Sequence, residues 1–251
     1  AVGELVYLIP AGSPDGILDG EAWKTINSGV NSYSVYNTVF VPAPTYHGLM
    51  AINFNHNINL DWHQNPVGAY DLYTIVLHEA LHILGIGSAI TATGHSNITN
   101  SLTGGYSRYD THLGKTYPGN WYPQPLISPP FSTTPGSVPN LCYSSSFTTS
   151  FLGFLTQPCS DIVFFNNQTI AGEVYTPSTF APGSSLSHLD QNCNGTTSVI
   201  NPVIPPGVAI RAPGGDVRFM LCGLGYRLGI EYGVSSNAVF GNYAVGGTAC
   251  G

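Results

Sequence analysis

The order of the sequence patterns predicts an α+β fold with two lobes. Segments typical of strands and helices alternate through the first 87 residues, a long stretch rich in Gly, Pro, Ser, Thr and Tyr follows, and regular patterns return near residue 185. A chain of 251 residues is long enough for one domain with a sizeable core. We therefore expect a single domain over 1–251, with an N-terminal lobe at 1–87, an irregular insertion at 88–184 and a C-terminal lobe at 185–251.

The N-terminal lobe contains three predicted strands and one predicted helix before its longest apolar segment. The run Glu4–Ile9 is rich in strand-forming residues and is stopped by a proline. Apolar residues recur at helical spacing behind Asp19, so we predict an amphipathic helix over Asp19–Tyr33 that Asp19 caps. Two further strands are predicted at Asn37–Val41 and Leu49–Phe54.

The segment Asp71–Leu84 is the one long stretch with apolar periodicity. Asp71 is placed to cap a helix and Gly85 to end it. The apolar residues of this segment are Leu72, Ile75, Val76, Leu77, Ala80, Leu81, Ile83 and Leu84. We therefore predict a largely buried helix at this place in the chain.

The stretch from about residue 91 to 182 has little periodicity and is rich in turn-forming residues. We interpret it as an insertion that crosses the molecular surface and forms one wall of a cleft between the lobes. Its aromatic residues would either contact a ligand or cover the core; they are Tyr106, Tyr109, Trp121 and Tyr122. After it, a proline-rich turn leads to a predicted capped helix at Asp216–Leu224.

The composition excludes several classes of partner. Only 8% of the residues are charged, against about 25% in an average globular protein, and the net charge is −7. This sign is wrong for a surface that follows phosphates, so we expect neither a nucleic-acid partner nor binding to an anionic membrane. No stretch approaches the roughly 18 consecutive apolar residues of a membrane span. We expect no membrane span and a monomeric protein.

The five cysteines include no CxxC pair, which argues against a zinc ribbon or a thioredoxin-like redox site and favours disulfide bonds. Closure of short loops favours pairing Cys142 with Cys159 and Cys193 with Cys222, although four cysteines permit three connectivities. Cys250 is then left over, either as a free thiol or as the partner of a segment outside this chain.

Features outside the cysteines also favour an exported protein. Lysine is scarce, and three Asn-x-Thr sequons occur, at Asn97, Asn167 and Asn194. The first residues contain no cationic and apolar leader, which is typical of a mature or trimmed protein. We expect the protein to be secreted, extracellular or at the cell surface.

The predicted helix carries the motif His78-Glu79-Ala80-Leu81-His82, or H-E-x-x-H. His82 lies only ~40° around the helix from His78 and one turn along it, so both imidazoles can bind one metal ion. Glu79 lies beside them without being aligned as a ligand, which suits a base that takes a proton from a metal-bound water. The alternative is a helix with two histidines packed against the core, but unpaired His and Glu would be costly on a buried helix.

The segment HEALHILG, from His78 to Gly85, resembles the H-E-x-x-H-x-x-G core of the metzincin zinc metallopeptidases. In the commonest metzincin pattern the third ligand follows three residues after the glycine, where this chain has Ser88, a poor zinc ligand. Leishmanolysin-like members carry a long insertion before the third histidine. His188, in SSLSHLDQN, follows such an insertion here, and the resemblance implies that it is the third ligand.

The sequence after His188 is also similar to that of secreted bacterial metzincins, through SVINPVIPPG and DVRFMLCGLGY, as is WHQNPVGAYDLY before the motif. Where such proteins place a turn methionine beneath the zinc, this chain has Ile200. An isoleucine can also form an apolar floor, and we expect Met220 to pack in the last helix. The resemblance implies a two-lobed zincin or metzincin fold, with an N-terminal twisted sheet, a backing helix, an active-site helix and an irregular C-terminal lobe.

Other residues remain candidates for the third position. They are His95, His112 and Asp110 within the insertion, with Asp190 and Glu173 after them. A gluzincin arrangement would require a glutamate on a later helix, and the sequence around Glu173 has no helical pattern. We assign no role to His47, His56 and His63, which precede the motif in polar loops.

The predicted function is that of a secreted zinc endopeptidase. His78, His82 and His188 would hold one Zn²⁺, and Glu79 would act as general base and then as general acid. The substrate would be an extended peptide or protein segment, which the resemblance places along the strand Leu49–Phe54. Calcium is possible but not predicted.

Two other functions stay open from the sequence. The chain could be a zinc-containing adhesive or glycan-binding module without proteolytic activity, although such a module would have no need for Glu79. It could also be a metal-dependent hydrolase of non-peptide substrates, because H-E-x-x-H alone does not define the substrate.

Overall fold

The computed structural model describes residues 2–5, 16–31, 46–92, 96–99, 104–120, 122–127, 161–194 and 197–227. The helices are α1 (Glu21–Ser28), α2 (Leu72–Ile83), α3 (Gln191–Asn194) and α4 (Gly215–Gly223), with a 3₁₀ turn at Tyr109–His112. The strands are β1 (Val2–Leu5), β2 (Gly16–Leu18), β3 (Gly48–Ala51), β4 (Ile58–Asn59), β5 (Tyr70–Asp71), β6 (Ile98–Thr99), β7 (Gly104–Ser107), β8 (Leu113–Lys115), β9 (Gln124–Pro125), β10 (Ile162–Asn166) and β11 (Thr169–Glu173). Helices and strands are mixed along these stretches, consistent with the predicted α+β class. No helix among them is long and apolar enough to cross a membrane.

The strands of the described residues pair into four small sheets. β1 pairs antiparallel with β3, and β4 pairs in parallel with β5. In a three-stranded sheet, β7 lies between β2 and β6, and the largest sheet has the antiparallel order β11-β10-β8-β9. β1 packs so closely on α2 that a Cβ atom at Gly3 would overlap the carbonyl group of Glu79.

The interpretation of residues 88–184 as irregular is wrong for their described part, since strands β6 to β11 all lie there. The first three residues of β10 are buried, and the strand pairs with both β8 and β11. Asn167 and Gln168, between β10 and β11, have φ angles of 44° and 75°, as a two-residue type I′ hairpin turn requires. These strands have only two to five residues each, too few to produce a clear alternation of apolar and polar residues.

The predicted strands of the N-terminal lobe are found in part. A strand is present near the start of the chain, as β1, but it covers Val2–Leu5. The strand predicted at Leu49–Phe54 is present as β3, which begins one residue earlier and ends three residues earlier, at Ala51. Residues 6–15 and the predicted strand Asn37–Val41 lie outside the described residues.

The helix predicted behind Asp19 is α1, but Asp19 does not cap it. The N-cap residue is Gly20, and no side chain caps the helix. The carboxylate of Asp19 instead accepts hydrogen bonds from Arg108, at 2.6 Å from Nε and 3.0 Å from Nη2. A guanidinium with two donors in one plane binds a carboxylate more strongly than the backbone N–H groups of a helix end do. The ion pair with Arg108 therefore explains why the predicted cap is wrong.

The helix α2 forms as predicted and is fixed at both ends. Asp71 caps it by accepting hydrogen bonds from the backbone N–H and the hydroxyl of Thr74, at 2.8 and 2.7 Å. The same carboxylate binds both terminal nitrogens of Arg211. Beyond the helix, Gly85 has a φ of 108° and its N–H donates to the carbonyl of His82. A residue with a Cβ is strained at this φ, so Gly85 sets where the chain leaves the helix.

Replacing Asp71 by Ala is expected to lower the free energy of unfolding by about 2 kcal/mol or more. Loss of an N-cap costs about 0.5–2 kcal/mol, and Arg211 also loses its carboxylate partner. Burial acts to raise the pKa of Asp71, but hydrogen bonds from Arg211 and Thr74 outweigh it and the pKa lies below its ordinary value. The contribution of the ionised carboxylate is therefore present at neutral pH and is lost as the pH falls through this lowered pKa.

Urea denaturation at neutral and at acidic pH measures this contribution. The difference between wild type and Asp71→Ala should be largest at neutral pH and should shrink on acidification. Asp61→Ala is a control, because the carboxylate of Asp61 is exposed and caps no helix. An equal shift of the denaturation midpoint in both variants would contradict the role of Asp71.

The core lies where α2 and α4 meet the largest sheet and the 3₁₀ turn. Its fully buried large side chains are Tyr109, Phe164, Leu81, Ile86, Leu113, Ile162, Leu186, Ile200, Met220 and Leu224. Met220 lies in α4, as predicted for a residue that packs in the last helix. This core joins the end of α2 to the segment around Leu186 and so brings distant parts of the chain together.

The aromatic residues of the predicted insertion divide between core and surface. Tyr106 and Tyr109 are buried and belong to the core. Tyr122 is half exposed, and Trp121 lies outside the described residues.

The cysteines of the described residues are oxidised. Cys193 in α3 and Cys222 in α4 are each disulfide-bonded. Cys142, Cys159 and Cys250 lie outside the described residues, so the pairing that we favour from short-loop closure stays a prediction.

Candidate metal centre

Three imidazoles from two distant parts of the chain converge on one point. His78 and His82 project from α2, and His188 belongs to the turn before α3. The Nε2 atom of His78 lies 3.2 Å from that of His82 and 3.3 Å from that of His188. Among the described residues, these three form the group whose ligand atoms lie close enough to hold a metal ion.

The other ring nitrogen of each histidine is held by a backbone carbonyl. The Nδ1 atoms of His78 and His82 donate to the carbonyls of Val199 and Ile86, both at 2.6 Å. The Nδ1 atom of His188 donates to the carbonyl of Ser184 at 2.8 Å. Because a carbonyl oxygen can only accept, each Nδ1 carries the hydrogen. In the neutral ring the Nε2 lone pair is then free to bind a metal.

Burial keeps these imidazoles neutral. It lowers the pKa values of His78 and His82 below the ordinary range, and His78 lowers that of His82 further. Burial, together with the neighbouring His82, lowers the pKa of His188 to about 3. All three side chains therefore present lone pairs to one another at neutral pH, an arrangement that is unfavourable until a cation joins them.

Glu79 lies beside the three histidines and lines the same cleft. Its side chain is almost fully buried. Burial raises the pKa of Glu79, while His82 and a hydrogen bond from the backbone N–H of Gly3 oppose the shift. A carboxylate with raised proton affinity is suited to accept a proton from a neighbouring group.

The cleft in front of the histidines has a volume of about 940 Å³. Its ionisable side chains, among the described residues, are His78, Glu79, His82, His188, His56 and Tyr70. The rest of its wall is apolar or neutral, with Ile52, Ile58, Ile75, Ile98, Pro202 and Ile204 as the larger apolar side chains. The cleft therefore favours an uncharged ligand around the metal-binding group.

The structure brings the predicted ligand His188 to the motif and leaves elsewhere those of its rivals that lie among the described residues. His112 stacks on Phe164 with ring centroids 5.1 Å apart, and its Nδ1 donates to the carbonyl of Phe165. Asp110 is fully buried among backbone and hydroxyl donors. Asp190 and Glu173 are not part of the metal-binding group, and His95 lies outside the described residues.

Ile200 occupies the place where the resemblance puts a turn methionine. It is fully buried, and its carbonyl accepts a hydrogen bond from the N–H of Leu189, next to His188. The preceding carbonyl, of Val199, orients His78. This turn therefore supports metal ligands on both parts of the chain through its backbone carbonyls. An isoleucine provides such a carbonyl as well as a methionine does.

The sequence left two positions open for His56, a solvated loop or the wall of the cleft. We assign it no role from the sequence, yet it lines the cleft, with its ring centroid 5.9 Å from that of Tyr70 in an edge-on contact. The carbonyls that orient the three ligands were missed, because backbone groups leave no trace in the sequence. The strand pairing of Ile58 with Tyr70, which brings His56 to the cleft, joins segments too short to be recognised.

The arrangement is thus a group of three neutral imidazoles that could hold a metal ion, with a buried carboxylate beside it and a cleft in front of it. Comparison of the chain with protein-family models, with curated proteins and with solved structures finds no match.

Proposed function

We propose that this chain is a secreted zinc-dependent endopeptidase with a metzincin-like two-lobed fold. The observation that carries the proposal is the convergence of three metal-binding Nε2 atoms beside Glu79 in an open cleft. The disulfide-bonded Cys193 and Cys222 support an oxidising, extracytoplasmic location.

The donor set fits zinc. Catalytic zinc sites commonly use three protein ligands and leave a fourth position for water or substrate. His78, His82 and His188 supply three neutral imidazole nitrogens, each fixed by a carbonyl behind it. Such outer partners fix the tautomer and the ring orientation of a ligating histidine, so these rings are oriented before a metal binds.

Glu79 performs the proton transfers of the proposed reaction. Zinc, when bound, lowers the pKa of a water and polarises the scissile carbonyl. Glu79 takes one proton from the attacking water as the new carbon–oxygen bond forms. It then gives that proton to the amine nitrogen as the carbon–nitrogen bond breaks. The burial of Glu79 raises its affinity for that proton.

The cleft supports an extended, uncharged peptide segment as substrate. Ile52 and Asn53, which follow β3, lie along the cleft wall, and β3 pairs only with β1 among the described residues. An edge of this kind can bind an extended chain through main-chain hydrogen bonds. Since Glu79 is the only acidic residue of the described wall and no lysine or arginine lines it, an acidic side chain near the scissile bond would find no cationic partner, and a basic one would find only the carboxylate that the reaction uses.

Digestion of a denatured protein by the wild-type chain tests this proposal. We expect about one zinc ion per chain by plasma mass spectrometry, and cleavage that stops with a chelator and returns with added zinc. Mass spectrometry of the products should show uncharged, largely apolar residues beside the cut bonds. Sites next to Asp, Glu, Lys or Arg should be cut at least about 10-fold less often, because burying an unpaired charge is costly.

The other outcomes separate the competing functions. Zinc bound without cleavage of any unfolded protein would contradict the peptidase and support the alternative of a zinc-containing binding module. Absence of bound metal would contradict both. Cleavage with a preference for charged residues would keep the peptidase but contradict the assignment of the cleft as the substrate site.

A further inference from the structure

The 3₁₀ turn Tyr109–His112 contacts both parts of the chain that supply the metal ligands. Asp110 contacts the loop that follows α2. Its fully buried carboxylate accepts a hydrogen bond from the hydroxyl of Ser88 at 2.6 Å and from the N–H of Ala89 at 3.1 Å. The carbonyl of Ile86, in the same loop, orients His82.

Asp110 also reaches the second part of the chain through Ser88. The N–H of Ser88 donates to the hydroxyl oxygen of Ser187 at 3.0 Å, and Ser187 directly precedes His188. Ser107 completes the network, since its N–H and its hydroxyl both lie within 2.9 Å of the carboxylate. The buried carboxylate therefore has donors from two segments, 88–89 and Ser107, and is connected to a third, at Ser187, through Ser88.

Tyr109 contacts the second part of the chain directly. Its hydroxyl donates to the carbonyl of Leu186 at 3.0 Å, and the whole side chain is buried. Leu186 has a φ of 65°, in the left-handed region where a residue with a side chain is strained. The carbonyl of Tyr175 accepts from the N–H of Leu186 at 2.9 Å. These bonds hold a strained residue two positions before His188.

We propose that Tyr109 and Asp110 are positioning residues, which hold the His82 and His188 parts of the metal centre at the separation that one ion requires. This inference rests on the proposed metal site. Neither residue touches the ion in it; each acts on a ligand through the backbone of a neighbouring segment. The two residues are adjacent in sequence, so a single turn contacts both parts of the site.

Tyr109→Phe and Asp110→Asn test the proposal, because both keep the shape of the side chain. We expect each variant to bind one zinc ion per chain with an affinity about 10–100-fold lower than that of wild type, the range typical for loss of an outer partner of a metal ligand. Competition with a chromogenic chelator measures the affinity. The visible spectrum of the cobalt-loaded protein should change in shape, since the ligand geometry changes.

Tyr73→Phe is the matched control. The hydroxyl of Tyr73 also donates to a distant backbone carbonyl, that of Arg211, at 3.2 Å, in a segment that supplies no metal ligand. Its loss should leave zinc affinity and the cobalt spectrum unchanged, and a denaturation curve reports its effect on stability. If Asp110→Asn does not fold, Ser88→Ala removes one bond of the same network and should also weaken zinc binding.

The outcomes distinguish this inference from the proposed function. Wild type without bound zinc would overturn both. Wild type that binds zinc, with Tyr109→Phe and Ser88→Ala binding it equally tightly and with an unchanged cobalt spectrum, would overturn the positioning role alone. An affinity loss of the same size in Tyr73→Phe would show general destabilisation and would also overturn it.

Discussion

Replacing Glu79 by Gln is expected to lower cleavage by about 10²–10⁴-fold, the usual contribution of a positioned acid or base, while one metal ion per chain is retained. The amide keeps the size of the side chain but cannot accept the proton of the attacking water. Because Glu79 is not one of the three converging ligands, zinc content should not change. Initial rates on one unfolded substrate, measured with metal content on the same sample, give both quantities.

Glu173→Gln provides the control for this experiment. Glu173, at the end of β11, is another glutamate whose pKa is raised by burial, but it does not line the cleft. Its substitution should leave both the rate and the metal content near the wild-type values. Full activity in Glu79→Gln would exclude it as the base, and loss of metal in that variant would mean that Glu79 is a ligand instead.

Replacing His188 by Ala is expected to remove the metal. The variant keeps only the pair of imidazoles on α2, so its zinc affinity should fall by more than the roughly 100-fold that loss of an outer partner can cost. The cleavage of an unfolded protein should fall with it to background. Metal content after dialysis against a weak chelator, with a denaturation curve to confirm folding, measures the effect.

His112→Ala is the matched variant. His112 is half-buried and also donates from Nδ1 to a backbone carbonyl, so its loss also removes a histidine that is hydrogen-bonded within the fold. It should retain about one zinc ion and its activity. Retention of zinc by His188→Ala together with its loss from His112→Ala would reverse the ligand assignment.

The helix α2 and its motif could be predicted because all their determinants are local. Asp71, the two histidines one turn apart and Gly85 lie within 15 residues of the sequence, and each acts through a simple rule of helix geometry. His188 could not be derived in that way. It lies 110 residues from His78, and only the resemblance to metzincins with a long insertion pointed to it among its rivals.

The rest of the fold depended on tertiary contacts. The sheet containing β8 to β11 joins strands of two to five residues across a long stretch of chain, so no segment shows its structure on its own. Asp19 has the ordinary features of a helix cap, yet Arg108, 89 residues away, takes its carboxylate. The hydrogen bonds of Tyr109 and Asp110 could not be predicted for the same reason, because their partners, Leu186 and Ser88, lie in other segments of the chain.

The distance along the chain between the two parts of the metal centre also affects when activity can arise during synthesis and folding. A nascent or partly folded chain offers only the two histidines of the helix as ligands, and two ligands hold zinc weakly. Loops of this length close late and slowly in folding. The three-histidine site is therefore complete only once the segment carrying His188 has joined α2, so tight metal binding follows the completion of the fold.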